Sequence, residues 1–282
     1  MSQAVACFVH RGHRTFLSIA VAHAVNAGFR TIVIGDSQSR CRDAEFIDLR
    51  EFESSARSFR DVYRHVGVND AGYESFCYER WFILRDVMRH LSAPIWAFDH
   101  DVLTFDGLTT LGDGILWSRG PEPFMFNSAW TSLISDVRPL DILTDYYCRV
   151  FEDPKLHELL SQKHAFGGVP HLSDMYLLYE LSELNKSVFL NAYQTSEKIG
   201  IDQNMTQNRN LGMDFELLCG YKIIGWDQKR PYVKRNNGSY QRFYSLHFQG
   251  TAKYLMPMMA QVPFEDEQAT RDHCARMIQI SS

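Results

Sequence analysis

The sequence predicts an α/β protein built on a mixed, mostly parallel sheet flanked by helices. Three observations predict it. A strand–helix–strand unit opens the chain, a long helix leads into a short and wholly apolar strand, and apolar runs of strand length alternate with helical periodicity through the first half.

The opening unit begins with the apolar run Val5 to Val9, which has the length of a buried strand. His13 to Ala27 follows with Phe16, Leu17, Ala20, Val21, Ala24 and Val25 on helical spacing, and Gly28 supplies the stop. Thr31-Ile32-Val33-Ile34 is the second strand, closed by Gly35-Asp36-Ser37. Sheets assembled from such units bind ligands beyond the carboxyl ends of their strands. From Tyr73 to His90 the residues Phe76, Trp81, Leu84, Val87 and Met88 give a helix with an apolar face. Pro94 ends it, and Ile95-Trp96-Ala97-Phe98 reads as a fully buried strand. A further strand is expected at Gly114-Ile115-Leu116-Trp117. Helices are expected from about Asp141 to Leu184, broken at Gly167-Gly168, and short strands and turns thereafter, including Tyr244 to Phe248. No repeat, low-complexity tract or linker appears. One domain spanning residues 1–282 is therefore expected, with a polar tail from about residue 263.

The chain has 282 residues and 45% hydrophobic content, enough for a sizeable core. With 29 basic and 34 acidic residues the net charge is −5, which argues against nucleic acid as a main partner. The run Lys229, Arg230, Lys234 and Arg235 reads as a solvated loop. The six cysteines form no close pair, so neither a zinc knuckle nor a redox dithiol is indicated; Cys7 and Cys77 read as reduced core residues. The N-terminus has no signal-peptide pattern, and no apolar stretch approaches the ~20 residues that span a bilayer. A cytoplasmic protein is expected, with peripheral membrane contact left open.

Asp99-His100-Asp101 follows the apolar strand directly, and apolar residues resume at Val102-Leu103. On an extended chain, residues i and i+2 project to the same side, so the two carboxylates repel unless a cation lies between them. Hard oxygen ligands suit Mg²⁺ or Mn²⁺, which can neutralise a departing diphosphate. By itself Asp-x-Asp is a short motif that recurs by chance, and a solvated turn is the competing reading. Far downstream stands His247-Phe248-Gln249-Gly250-Thr251-Ala252-Lys253. Neutral imidazole can ligate the same ion, Gly250 permits close backbone approach to a phosphate, and Lys253 brings a point charge to a phosphate oxygen. A hydrogen-bonded core histidine is the alternative for His247.

Asp-x-Asp after an apolar strand, with a late His-Phe-x-Gly-x-x-Lys, resembles the retaining GT-A glycosyltransferases of the glycogenin and lipopolysaccharide-galactosyltransferase group (glycosyltransferase family 8-like). The resemblance implies the GT-A fold, a Rossmann-like nucleotide-diphospho-sugar transferase architecture. It implies Mn²⁺ or Mg²⁺ on Asp99, Asp101 and His247, with Lys253 on the donor diphosphate. Glu79-Arg80-Trp81 matches the group's Ala-Arg-Leu-like segment, which makes Arg80 the donor-contact candidate, with Arg85 as the substitute. Phe126-Asn127-Ser128 resembles the group's Phe-Asn-Ser segment near donor and acceptor, so Asn127 is assigned to a sugar hydroxyl. In His171-Leu172-Ser173-Asp174-Met175, Asp174 matches the aspartate on the donor sugar. Met175 replaces the group's glutamine and cannot donate a hydrogen bond. At the nucleotide edge, His10 and Asp36 follow the first two strands and are assigned to the base and ribose.

The implied activity is transfer of a sugar from a nucleotide-diphosphate sugar, UDP-linked by family habit, to a glycan, lipid or protein acceptor, with retention. Should the reaction invert, Asp174 is the first candidate for the base. Two other classes remain open: a metal-dependent nucleotidyltransferase or phosphohydrolase, and a non-catalytic sugar-binding protein of the same fold. Phe124-Met125-Phe126 and Trp130 read either as core or as a stacking surface for an acceptor sugar.

Overall fold

The structure is a computed structural model that describes residues 4–13, 15–120, 122, 124–127, 130–191, 200–207, 209–210, 213–261, 268, 272 and 275. The first half runs β1 (Val5–His10), α1 (Thr15–Asn26), β2 (Arg30–Gly35), β3 (Glu45–Asp48), α2 (Ser54–Val62), α3 (Ala71–Leu91), β4 (Ile95–Phe98), β5 (Val102–Thr104) and α4 (Leu108–Arg119). Next come β6 (Met125–Asn127), β7 (Thr131–Ile134), α5 (Arg138–Glu152), α6 (Pro154–Lys163), α7 (Asp174–Leu184) and β8 (Phe189–Asn191). The last third holds short strands: β9 (Arg209–Asn210), β10 (Met213–Asp214), β11 (Leu217–Leu218), β12 (Tyr221–Lys222), β13 (Ile224–Asp227), β14 (Arg230–Lys234), β15 (Tyr240–Arg242) and β16 (Ser245–His247). A short α8 (Met256–Met259) follows. The polar tail expected from about residue 263 falls almost wholly outside the described residues.

The central sheet has seven strands in the order β3-β2-β1-β4-β7-β6-β8. Strands β3, β2, β1 and β4 are mutually parallel, as are β6 and β8, while β7 runs antiparallel to both β4 and β6. The mixed, mostly parallel α/β class read from the sequence is the class observed. Alternation along the strands divides the core in two. Ala6, Phe8, Trp96 and Phe98 face one apolar cluster with α1, and Val5, Cys7, Ile95 and Ala97 face the other with α3, α5 and α7. Buried on both sides, these strands need the unbroken apolar runs that identified them.

The punctuation follows local chemistry. At the end of α1, Phe29 N–H donates to the Ala24 carbonyl and Gly28 N–H to the Val25 carbonyl, with Gly28 at φ 92°. This Schellman closure needs a left-handed residue, which glycine provides at no steric cost. At α3 the Asp70 carboxylate accepts from Gly72 N–H and Tyr73 N–H, using two donors that the first helical turn leaves unpaired.

The segment Gly114 to Trp117 is helical, inside α4, and the expected strand is corrected accordingly. Leu108, Leu111 and Ile115 pack on the core at helical spacing while Gly114 is exposed, so the four-residue run is part of an amphipathic pattern. Phe124, Met125 and Phe126 are buried, at most 1% exposed, so they are core and offer no surface to an acceptor. Cys7 is buried, Cys77 half-buried, and both are free thiols. Among the described residues no helix is long and apolar enough to cross a membrane.

Among the buried histidines, one in α1 lies away from the strand ends. His23 is 3% exposed, its Nδ1 3.2 Å from the Thr104 carbonyl and its Nε2 buried without a partner among the described residues. Burial pushes it down to about 4, outweighing the Thr104 contact. The unfolded chain, with an ordinary histidine near 6.5, therefore binds the proton more readily, and folding is favoured most above pH 6.5 and less as pH falls towards 4. At pH 5 this one group is expected to cost the wild type roughly 2 kcal/mol relative to pH 8. Urea unfolding of His23→Gln should show that much less acid sensitivity than the wild type; equal sensitivity would remove the assignment.

Candidate active site

Strand register brings the carboxyl ends of β1, β2 and β4 to one edge: His10 pairs with Gly35, and Cys7 with Ala97. Asp36 follows β2 and Asp99 follows β4 at that edge. The aspartate pair stands on a turn and not on an extended segment. Val102 N–H donates to the Asp99 carbonyl at 3.2 Å, so residues 99–102 reverse the chain into β5. Asp99 N–H meanwhile donates to the Trp130 carbonyl at 3.0 Å, extending the antiparallel pairing of β4 with β7. The carboxylates converge because the turn folds them together, which corrects the strand-alternation argument.

The second half of the cluster arrives through β16, which pairs antiparallel with β5 and sets His247 opposite Val102. Phe248 N–H donates to the Asp101 carbonyl at 2.9 Å. The imidazole Nε2 of His247 then lies 3.5 Å from Oδ1 of Asp101. One ligand atom each from Asp99, Asp101 and His247 lies within 4.8 Å of the others. Nδ1 of His247 is 2.7 Å from the Gln203 carbonyl, an acceptor only, so Nδ1 carries the proton and Nε2 faces the aspartates. The His247 ring lies flat on Trp130, centroids 4.9 Å apart at 8°.

This donor set fits a divalent cation. Oδ1 of Asp101 is buried with no hydrogen-bond partner among the described residues, which is costly unless something else binds it. Burial pushes Asp101 up, but His247, His100 and Lys253 together outweigh it and hold the carboxyl well below its usual range. For His247 burial favours the neutral ring, and the Asp101 charge with the Gln203 carbonyl outweighs it, raising the group. Two carboxylates and an imidazole suit Mn²⁺, and Mg²⁺ less well for the nitrogen.

Cations surround the cluster. Lys253, on the 3-10 turn Gly250–Leu255, lies 3.1 Å from Oδ2 of Asp101 and 3.3 Å from Nε2 of His100. Burial pushes His100 down to about 4, so its neutral ring can accept from the ammonium. The rings of His10 and His100 lie 4.8 Å apart, and burial lowers His10 as well. On the other side Arg80 of α3 forms an ion pair with Asp99 and a second, at 2.8 Å, with Asp174. Asp174 opens α7 behind the Ser173 cap, and its Oδ2 also accepts from Trp81 Nε1 at 3.0 Å. Arg85 turns away, donating to Thr144 Oγ1 at 2.8 Å.

The remaining candidates fall as follows. Asp36 caps the turn Ser37–Ser39, and its oxygens accept from Gly12 N–H, Gln38 N–H and Ser39 Oγ, so its carboxylate is largely committed to holding the loops at the strand ends. Gly250 has φ 62°, a conformation other residues adopt with strain, and faces open space. Met175 is 39% exposed beside Asp174. The backbone of Asn127 ends β6 opposite Asn191 of β8; its side chain and Ser128 lie outside the described residues. His100 was missed as a site residue, and Trp130, read as core or as an acceptor platform, stacks on His247 instead. His100 reads only as the spacer of Asp-x-Asp.

No family model matches the sequence, and no curated protein matches it. Among solved structures, mouse xyloside xylosyltransferase 1 in its apo form is similar at a TM-score of 0.45 and 10% identity, over 66% of this chain and 83% of that one. A likeness of that size carries no weight for activity or ligand, which rest on the side chains.

Proposed function

We propose that this chain is a metal-dependent glycosyltransferase of the GT-A type that moves a sugar from a nucleotide-diphosphate sugar to an acceptor hydroxyl. The observation that carries the reading is the convergence of Asp99, Asp101 and His247 within 4.8 Å at the carboxyl edge of a mostly parallel sheet, with Lys253 alongside. Such a cluster would hold Mn²⁺, which when bound supplies Lewis-acid neutralisation of a diphosphate. Lys253, 24% exposed, adds a second positive charge where the leaving group's charge develops. Arg80 fixes Asp99 and Asp174 relative to each other. Oδ2 of Asp174 already takes two donors, so the residue suits a role as a fixed acceptor for a sugar hydroxyl better than that of a free general base, which supports retention. His10 at the end of β1 flanks the space for base and ribose.

The test is a thermal-shift screen of nucleotide sugars with and without Mn²⁺, followed by product analysis. A selective donor at 100 times its Kd should add about 2.7 kcal/mol, or roughly 5 °C in a chain of this size, and only with metal present. The nucleoside diphosphate should then be released on adding acceptor. Release of pyrophosphate or phosphate would assign the site to nucleotidyl transfer or phosphohydrolysis. Sugar binding without metal or turnover would make it a binding protein.

A further inference from the structure

Asp202 and Lys222 form an ion pair whose side chains are both 0% exposed, with Nζ and Oδ1 2.5 Å apart. Neither group belongs to the cluster of aspartates, histidine and lysine described above. Burying two charges is expensive, and an apolar pair of similar volume is often as stable or more so, so such a pair calls for a role other than stability. Its contacts supply one, because they converge on β16, which carries His247, and on the segment 201–205 packed against it. Oδ2 of Asp202 accepts from the backbone N–H of His247 at 3.1 Å. Lys222 Nζ also donates to the Asn204 carbonyl at 2.7 Å. Met205 N–H donates to the His247 carbonyl at 2.9 Å, and Asp202 N–H to the Ser245 carbonyl at 3.1 Å. The segment 201–205 is thereby laced to β16, and the Gln203 carbonyl inside it is the acceptor that fixes Nδ1–H of His247. Trp130 closes the arrangement from the far side: its ring lies flat on the imidazole while its Nε1–H donates to the Asp202 carbonyl at 2.8 Å. The ring is held in its plane by the indole and in its rotation by Gln203, and both holders are anchored on Asp202.

We propose that Asp202, Lys222 and Trp130 are positioning residues that aim Nε2 of His247 at the cation position between Asp99 and Asp101. The inference rests on the metal-dependent reading of the site and names what fixes its distant ligand. Groups that orient a metal-bound imidazole typically contribute ten- to a hundredfold to metal affinity.

The experiment measures Mn²⁺ affinity directly, from the electron paramagnetic resonance signal of free Mn²⁺, alongside melting temperature. In the double variant Asp202→Val/Lys222→Met both charges leave together, so no uncompensated buried charge remains. Its melting temperature in chelator is expected to match the wild type, its Mn²⁺ affinity to fall about 10- to 100-fold, and transfer to recover at saturating Mn²⁺. Trp130→Phe keeps an aromatic ring but loses the indole donor. It should weaken Mn²⁺ in the same direction, and it decides the matter should the double variant fail to fold. A folded variant that binds Mn²⁺ within twofold of the wild type would overturn the positioning role and leave the metal site standing. A wild type that binds no Mn²⁺ would remove the proposed function and this inference together.

Discussion

Asp101→Ala is expected to bind neither Mn²⁺ nor a donor in a metal-dependent manner, and to lose at least about a thousandfold in transfer. A metal clamp contributes several kcal/mol of charge stabilisation at a leaving diphosphate, and about 4 kcal/mol corresponds to that factor. Asp101 is the residue to remove because it lies at the centre of the cluster: His247 at 3.5 Å, Lys253 at 3.1 Å, and a ligand atom of Asp99 within 4.8 Å. Its Oδ1 has no other hydrogen-bond partner among the described residues, so its loss leaves no protein donor stranded at that atom. Asp101→Asn keeps the shape without the charge and separates electrostatics from packing. It should melt below the wild type in chelator, because Lys253 loses its carboxylate partner, and it should still lose Mn²⁺. Wild-type protein in excess chelator should fall to the level of the variant. Full transfer by Asp101→Ala, or by the wild type in chelator, would end the metal-dependent reading.

Much of the scaffold was legible because local chemistry and tertiary demand agree in it. The strand runs at Val5, Thr31 and Ile95 are apolar on both faces because helices cover both faces of the sheet, and Gly28 stops α1 where a left-handed residue is required. The Gly114 to Trp117 segment failed for the opposite reason. Read alone, four residues cannot separate a buried strand from one turn of helix, and only Leu108 and Leu111 upstream reveal the longer period. At the site, the two aspartates, the histidine and the lysine were visible as residue types suited to a cation and a phosphate. Their meeting was not visible from spacing, because it depends on β16 pairing with β5 from the other end of the chain. Asp202 and Lys222, and the role of Trp130 on His247, were illegible for a related reason. Their chemistry is exercised on His247 through backbone carbonyls and ring stacking, which leave no pattern in sequence.

Removing Arg80 should expose a conflict between stability and metal binding. Its guanidinium, 14% exposed, is the cation that joins Asp99 of the turn after β4 to Asp174 at the head of α7. Burial alone would favour losing the proton, but Asp99 and Asp174 outweigh it, so Arg80 is held in its charged form. In Arg80→Ala the Asp174 carboxylate, 4% exposed, keeps Trp81 as a donor but has no counter-charge. Breaking a buried pair by removing one partner costs about 3–5 kcal/mol. The lower figure applies here because Asp99 is 30% exposed and partly solvated. That predicts a melting temperature about 6 °C below wild type in chelator. Arg80→Lys should recover only part of it, since a single ammonium cannot reach both carboxylates as the planar fork does. Mn²⁺ should then raise the melting temperature of Arg80→Ala by more than it raises that of the wild type, because in the wild type the ion shares Asp99 with the guanidinium and in the variant it alone compensates Asp99. An equal rise in both would mean that Arg80 and the ion act on Asp99 independently. An unshifted melting temperature in chelator would mean that the bridge carries little of the charge balance of this edge of the sheet.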